Sequence, residues 1–266
     1  MSIKTDLKMN NISQVFAIGD IHGCKSLLEK IHNKILKISE KVEGNKILIY
    51  LGDYVDRGHK VKETIDTIIN FKPKNFKCVF IRGNHEQMLL DFVNSKLESL
   101  TVWLYNGGAE TLKSYCGREI SDDLLNSSSK KQQIREKFIK ALPQEHFHFF
   151  NSLQFSYTWK DYFFVHAGID PSRPLSKQRE IDMIWIRTPK FLASNQSFEK
   201  IIVHGHTPSK NVEKKLNRIN LDTGAVYSEY GKLSCMFIDA KKNRREFFAS
   251  RKNFLKLYII DFLTRL

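Results

Sequence analysis

Apolar positions recur along this chain with two distinct periods, and the change from one to the other marks out the predicted elements. Residues 15–19 (VFAIG) form a short apolar run closed by a glycine, the pattern of a strand buried on both faces. Leu28, Ile31, Ile35, Ile38 and Val42 then step by three and four, which predicts a helix with one apolar face. A second strand is predicted over 46–51 (KILIYL), a second helix over 61–71 around Ile65, Ile68 and Ile69, and a third strand over 77–81 (KCVFI). Strand–helix–strand–helix–strand implies parallel strands joined by right-handed crossovers. The stretch 86–150 reads as helical but less regular, with Ile134, Phe138 and Leu142 four apart and a polar loop over 126–131. Strands return at 153–159 and 162–165, where Lys160-Asp161 suggests a hairpin, and at 201–204, 218–221 and 233–238. An α/β half followed by a strand-rich half predicts two sheets stacked face to face with helices outside. Residues 241–266 read as a tail. Leu255, Tyr258, Ile259, Phe262 and Leu266 give its end helical spacing, as in a terminal helix docked on the body, on a membrane surface or on a partner.

Composition narrows the class. With 266 residues, 41% hydrophobic and 12% aromatic, the chain has material for one large core or two small ones, and wholesale disorder is excluded. No run of 18 apolar residues predicts a membrane-spanning helix. Residues 1–11 are polar and lack the apolar run of a secretory signal. Cys24, Cys78, Cys116 and Cys235 are widely separated, which argues against a disulfide framework or a cysteine zinc site and suits a reducing, cytoplasmic setting. Lys and Arg total 43 against 29 Asp and Glu, a formal charge of +14, and residues 241–266 carry eight Lys/Arg against Glu246 and Asp261. Such charge attracts phosphorylated substrates, anionic membranes or nucleic acid. No basic stretch is interleaved with stacking aromatics, so no specific nucleic-acid partner is expected. Most of the lysines read as a solvated surface.

The chemistry-bearing residues gather just after predicted strands. They are Gly19-Asp20-Ile21-His22-Gly23, Gly52-Asp53-Tyr54-Val55-Asp56-Arg57-Gly58 and Gly83-Asn84-His85-Glu86, then His166-Ala167-Gly168 and His204-Gly205-His206-Thr207. Ligands of open α/β sheets sit beyond the carboxyl ends of strands, so the clusters should converge. Oxygen and imidazole donors without thiolate suit Mn, Fe, Zn or Mg. A given four-residue pattern arises by chance in about 2 of 1000 chains of this length. One match is therefore weak evidence, and five in order are strong.

The series GDIHG, GDYVDRG, GNHE, HAG and HGHT resembles the calcineurin-like metallophosphoesterases, and the unbroken GDYVDRG resembles the phosphoprotein phosphatase family within them. The resemblance covers about residues 15–238. HGHT followed by LDTGA, where eukaryotic members carry an SAPNYC-type segment, is similar to the bacterial and phage branch. It implies a four-layer αββα sandwich of two mixed sheets, a single catalytic domain over 1–240 with a helical insert region at 86–150, and a basic tail over 241–266. It further implies Asp20 and His22 as ligands of one divalent metal, Asp53 as the bridging carboxylate, and Asn84, His166 and His206 as ligands of a second. Manganese is the first candidate, with iron, zinc or magnesium as others. By the same resemblance His85 is the general acid oriented by Asp56, and Arg57 and Arg187 grip the phosphate, beside Asn84. The implied reaction is direct attack of a metal-bridging hydroxide on a phosphate ester. The implied partner is a phosphorylated protein or peptide, or a small phosphorylated metabolite. A dinucleoside polyphosphate hydrolase or a nucleotidase on the same scaffold is the alternative. Asp56, usually missing from the diadenosine tetraphosphate hydrolases of the superfamily, favours the protein phosphatase.

Other histidines and neighbours read as structural. His32 is expected at the surface or boundary, and His146 and His148 as packing residues. His204 is expected to support the site rather than ligate, Arg82 and Glu86 to be structural neighbours of GNHE, and Cys24 to be no nucleophile.

Overall fold

The computed structural model describes residues 11–94, 96–117, 127–227 and 231–251. Two mixed five-stranded sheets form its centre. The first has the order β10-β9-β1-β2-β3, from β1 (Ile12–Ile18), β2 (Asn45–Tyr50), β3 (Phe76–Phe80), β9 (Lys232–Asp239) and β10 (Arg244–Arg251). The second has the order β4-β5-β6-β8-β7, from β4 (Ser156–Trp159), β5 (Tyr162–Val165), β6 (Ile201–His204), β7 (Glu213–Lys214) and β8 (Arg218–Asn220). β1, β2 and β3 run parallel, as the alternating strand–helix pattern requires, and β9 returns antiparallel to β1.

The two-residue period of β1 separates two cores. Val15 and Ala17 face the second sheet, where Phe164, Val203, Ile219 and Leu221 meet them. Phe16 and Ile18 face outward, under α1 (Lys25–Ser39) and α2 (Val61–Asn70), which contribute Leu28, Ile31, Ile35, Ile65 and Ile68. Outside the second sheet, Phe163, Val165 and Ile202 pack against Met183 and Phe191 of short helical segments. The layers are thus helix, sheet, sheet, helix.

Helices fill the segment between the sheets: α3 (Asn84–Val93), α4 (Ser99–Trp103), a π turn over Leu104–Gly108, α5 (Ala109–Cys116), α6 (Ser128–Ala141) and α7 (Gln144–Asn151). Part of the expected polar loop at 126–131 is instead the first turn of α6. Ser127 caps it by accepting the N–H of Lys130 at 3.2 Å. Val42, expected on the first helix, lies past its end at Ser39.

The expected tail needs a larger correction. Residues 244–251 are not a tail but the edge strand β10, paired with β9 from Arg244 to Arg251. Charges at Arg244, Arg245 and Glu246 hid it, because an edge strand tolerates exposed charge that a central strand does not. Lys30 and Lys34 of α1 donate to the carbonyls of Arg251 and Ala249, capping that edge. The helix expected over 254–266 lies outside the described residues. No helix among the described residues is long and apolar enough to cross a membrane.

His32 is not the surface or boundary residue expected. It is buried, its Nε2 pairs with Tyr50 Oη at 2.8 Å, and its ring stacks on Phe71 with centroids 3.6 Å apart. Burial lowers its pKa to about 3. The unfolded chain, with His32 near the ordinary value of about 6.5, binds the extra proton first. Stability contributed by neutral His32 is therefore whole above that value and falls as pH drops toward 3, by at most about 1.4 kcal/mol per pH unit. Urea titrations should show a shallower loss of stability between pH 7 and 5 in His32→Leu than in the parent, although the variant is less stable at pH 7. Equal slopes would remove His32 as a cause.

Candidate metal centre

The polar clusters do converge, at the carboxyl ends of β1, β2 and β3 and beside the ends of β5 and β6. Two triads of metal-capable side chains share Asp53: His22, Asp53 and His85, and Asp53, His166 and His206, all buried. Asp53 Oδ1 lies 3.3 Å from His166 Nε2, while Oδ2 lies 3.5 Å from His22 Nε2 and 3.7 Å from His85 Nε2. His166 Nε2 is 3.0 Å from Asn84 Oδ1 and 3.2 Å from His206 Nδ1. Asp20 joins neither triad directly. Its Oδ2 accepts the backbone N–H of His206 at 2.9 Å, and its Oδ1 has no partner among the described residues.

The imidazoles are prepared for ligation. His22 Nδ1 donates to Val55 O at 2.8 Å and His166 Nδ1 to Leu51 O at 2.9 Å, which leaves each Nε2 as the acceptor nitrogen on the side of Asp53, that of His22 taking the N–H of Arg57 Nη1 at 2.8 Å. Burial first, and then neighbouring imidazoles, lower the pKa of His22 and of His206, the latter to about 2. Burial also lowers that of His166, against the opposing pull of Asp53. Neutral imidazole is the form that binds metal. Burial works to raise the pKa of Asp53, but the surrounding imidazoles outweigh it and hold the carboxyl far below its usual range.

These residues fit divalent cations. Donors sharing one cation at 2.0–2.1 Å stand roughly 3.0–3.4 Å from one another, the spacing seen around His166. Burial, reinforced by Asp222 and Asp53, raises the pKa of Asp20, and burial pushes Asp222 up to about 6. A positive ion relieves that crowding of buried carboxyls.

Backbone strain is concentrated here. Among the described residues, nine non-glycine positions have positive φ, and five are His22 (43°), Asp53 (52°), Asp56 (70°), Arg57 (66°) and His206 (65°). Each such conformation costs on the order of 1–3 kcal/mol and persists only where its surroundings enforce it. Glu86 is one enforcer. Its carboxylate accepts the N–H groups of Asp53 and Gly83 at 2.9 Å, of Tyr54 at 2.7 Å and of Val55 at 3.2 Å. Glycine is required where backbone passes beneath a carboxylate: a Cβ on Gly83 would collide with Asp53 Oδ1, and one on Gly205 with Asp20 Oδ1.

The remaining expected residues lie around this centre. His85 Nδ1 pairs with Asp56 Oδ2 at 2.6 Å, and Asp56 is fully buried. Burial would lower the pKa of His85, but Asp53 and then Asp56 raise it above the ordinary value. Arg57 Nη1 reaches His22 Nε2 at 2.8 Å, and the exposed Arg187 donates from Nη2 to His206 O at 2.6 Å, so a guanidinium stands on each side. His204 faces away from the triads, toward Arg218 at 3.2 Å. Neither the hold of Glu86 on the Asp53 loop nor the place of Asp222 beside Asp20 is among the expectations from the sequence. Asp222 follows β8 as the other clusters follow their strands, and that placement was the available signal.

The calcineurin-like phosphoesterase model matches residues 13–233, and the chain belongs to this family, whose members are built around a dinuclear metal centre. It is 27% identical over 228 residues to the bis(5'-nucleosyl)-tetraphosphatase PrpE (asymmetrical) of Anoxybacillus flavithermus, covering 79% of this chain and 85% of that one. It is 26% identical over 230 residues to serine/threonine-protein phosphatase 2 of Salmonella typhimurium, covering 84% and 93%. Among solved structures, a protein provisionally described as a diadenosine tetraphosphatase superposes with a TM-score of 0.60 at 18% identity, over 92% of this chain and 96% of its own, a likeness of fold. The chain is a metallophosphoesterase with relatives among both Ser/Thr phosphatases and tetraphosphatases.

Proposed function

We propose that this metallophosphoesterase is a phosphomonoesterase of the Ser/Thr protein phosphatase type, acting on phosphorylated proteins or peptides in the cytoplasm. Asp20, His22 and Asp53 would hold one divalent cation, and Asp53, Asn84, His166 and His206 a second, with manganese the first to try. Bound there, such ions supply positive charge against the phosphate oxygens and acidity to water. Arg57 and Arg187 offer planar forks to the phosphate oxygens from the two sides of the centre. In the overall exchange, a water oxygen forms a bond to phosphorus and the ester P–O bond breaks. His85 Nε2 gives its proton to the departing oxygen, and a proton of the water restores it.

The observation that carries this reading is the buried His85–Asp56 pair. Asp56 takes Nδ1, so the remaining ring nitrogen, Nε2, turns toward Asp53 and the centre. A serine or threonine alkoxide is a poor leaving group and needs that proton, whereas a departing nucleotide phosphate needs it little. The tetraphosphatase relative supports a second reading, hydrolysis of dinucleoside polyphosphates. Parallel assays on a phosphoserine peptide, a phosphotyrosine peptide and diadenosine tetraphosphate should give the highest kcat/KM on phosphoserine. Preference for diadenosine tetraphosphate would overturn the first reading in favour of the second.

A further inference from the structure

Beyond Glu86, the described residues of the helical insert meet the centre at the Asp56–Arg57 pair. Trp103, the last residue of α4, donates its Nε1–H to Asp56 Oδ2 at 2.9 Å and Oδ1 at 3.0 Å. Thr111 of α5 donates its hydroxyl to Asp56 Oδ1 and accepts the Asp56 N–H at 2.9 Å. Between them, Gly107 O accepts the N–H of Arg57 at 3.1 Å. Trp103, Thr111 and Asp56 are all fully buried. Both oxygens of Asp56 are therefore saturated: Oδ1 by Thr111 and Trp103, Oδ2 by His85 and Trp103. The carboxylate cannot turn without breaking several buried hydrogen bonds, each costly to leave unmade. The same contacts hold Asp56 and Arg57 in their left-handed conformations.

We propose that Trp103 and Thr111 are positioning residues for proton donation. By locking the Asp56 carboxylate they aim His85 Nε2–H at the leaving oxygen, which makes the insert part of the reaction rather than only a wall of the cleft. This inference rests on the phosphomonoesterase reading above. A packing role alone is the competing explanation, because Trp103 also lies against Phe92 and Phe138.

Leaving-group dependence separates the two. Misaiming a proton donor slows esters with poor leaving groups and spares those with good ones, whereas loosened packing slows both alike. The metal-loaded full chain should be assayed on phenyl phosphate and on 2,4-dinitrophenyl phosphate as Trp103→Phe, Thr111→Val, Thr111→Ser and His85→Asn. Loss of an outer partner typically costs roughly 10–100-fold. We expect losses of that order in kcat on phenyl phosphate for Trp103→Phe and Thr111→Val, a clearly smaller loss on the dinitrophenyl ester, little change in KM, and recovery in Thr111→Ser. In the full chain without added metal, the downfield proton resonance of His85 Nδ1–H, assigned by its absence from His85→Asn, should shift or broaden in the two disruptive variants and return in Thr111→Ser. Equal losses on both esters, or no loss, would overturn the proposal. Should Trp103→Phe fail to fold, the Thr111 pair decides. A His85→Asn loss equal on both esters would refute the acid assignment itself, and with it proton donation as the step that Trp103 and Thr111 serve.

Discussion

Asp53→Asn is expected to reduce phosphoesterase turnover to background. Asp53 is the one side chain common to both metal-capable triads, with Oδ1 toward His166 and Oδ2 toward His22 and His85. Asparagine keeps the shape and one carbonyl oxygen but removes the negative charge that the proposed pair of cations would need between them. It also places a donor NH2 where a lone pair is needed. Loss of a partner outside the ligand shell already costs roughly 10–100-fold, so loss of a shared ligand should exceed that range in kcat/KM. The fold should survive, because the cores on both faces of the first sheet do not involve Asp53. Turnover within tenfold of the parent, with a folded variant, would refute the bridging assignment.

His85→Asn is expected to lower kcat by roughly 10²–10⁴ while metal content is retained. The two halves of that expectation separate two roles. His85 Nε2 stands close enough to Asp53 and His22 to count as a metal-capable group, yet Nδ1 is committed to Asp56, which no other imidazole of the centre contacts. If His85 is the proton donor, as proposed, it is needed for bond breaking and not for holding ions. A variant that loses both activity and metal would make His85 a ligand, and Asp56 its outer partner.

The parallel half of the fold was legible chiefly because β1 and β2 are buried on both faces, whereas β3 at the sheet edge is half-buried. Uninterrupted apolar runs at β1 and β2 leave no competing assignment, and each ends in the glycine-bounded cluster that forms the centre. β10 was illegible for the opposite reason. Its pairing with β9 is set at a sheet edge, where Arg244, Arg245 and Glu246 carry no hydrophobic alternation to betray a strand. His32 sits on the helix face next to Ile31 and Ile35, but only the distant Tyr50 hydroxyl and Phe71 ring make burial of an imidazole tolerable. The same holds at the site. Motifs place Asp53, Asn84, His85, His166 and His206 individually, whereas the hold of Trp103 and Thr111 on Asp56 spans 47 and 55 residues and follows no local period. Glu86 was readable as a neighbour of His85, but its grip on the loop of Asp53 depends on how β2 and β3 lie side by side.

The stoichiometry of divalent metal bound by the purified full chain tests the central claim most directly. Equilibrium dialysis against manganese, followed by elemental analysis, should find two ions per chain in the parent and fewer in Asp53→Asn. A parent that holds none, or a variant that holds as many as the parent, would contradict the account.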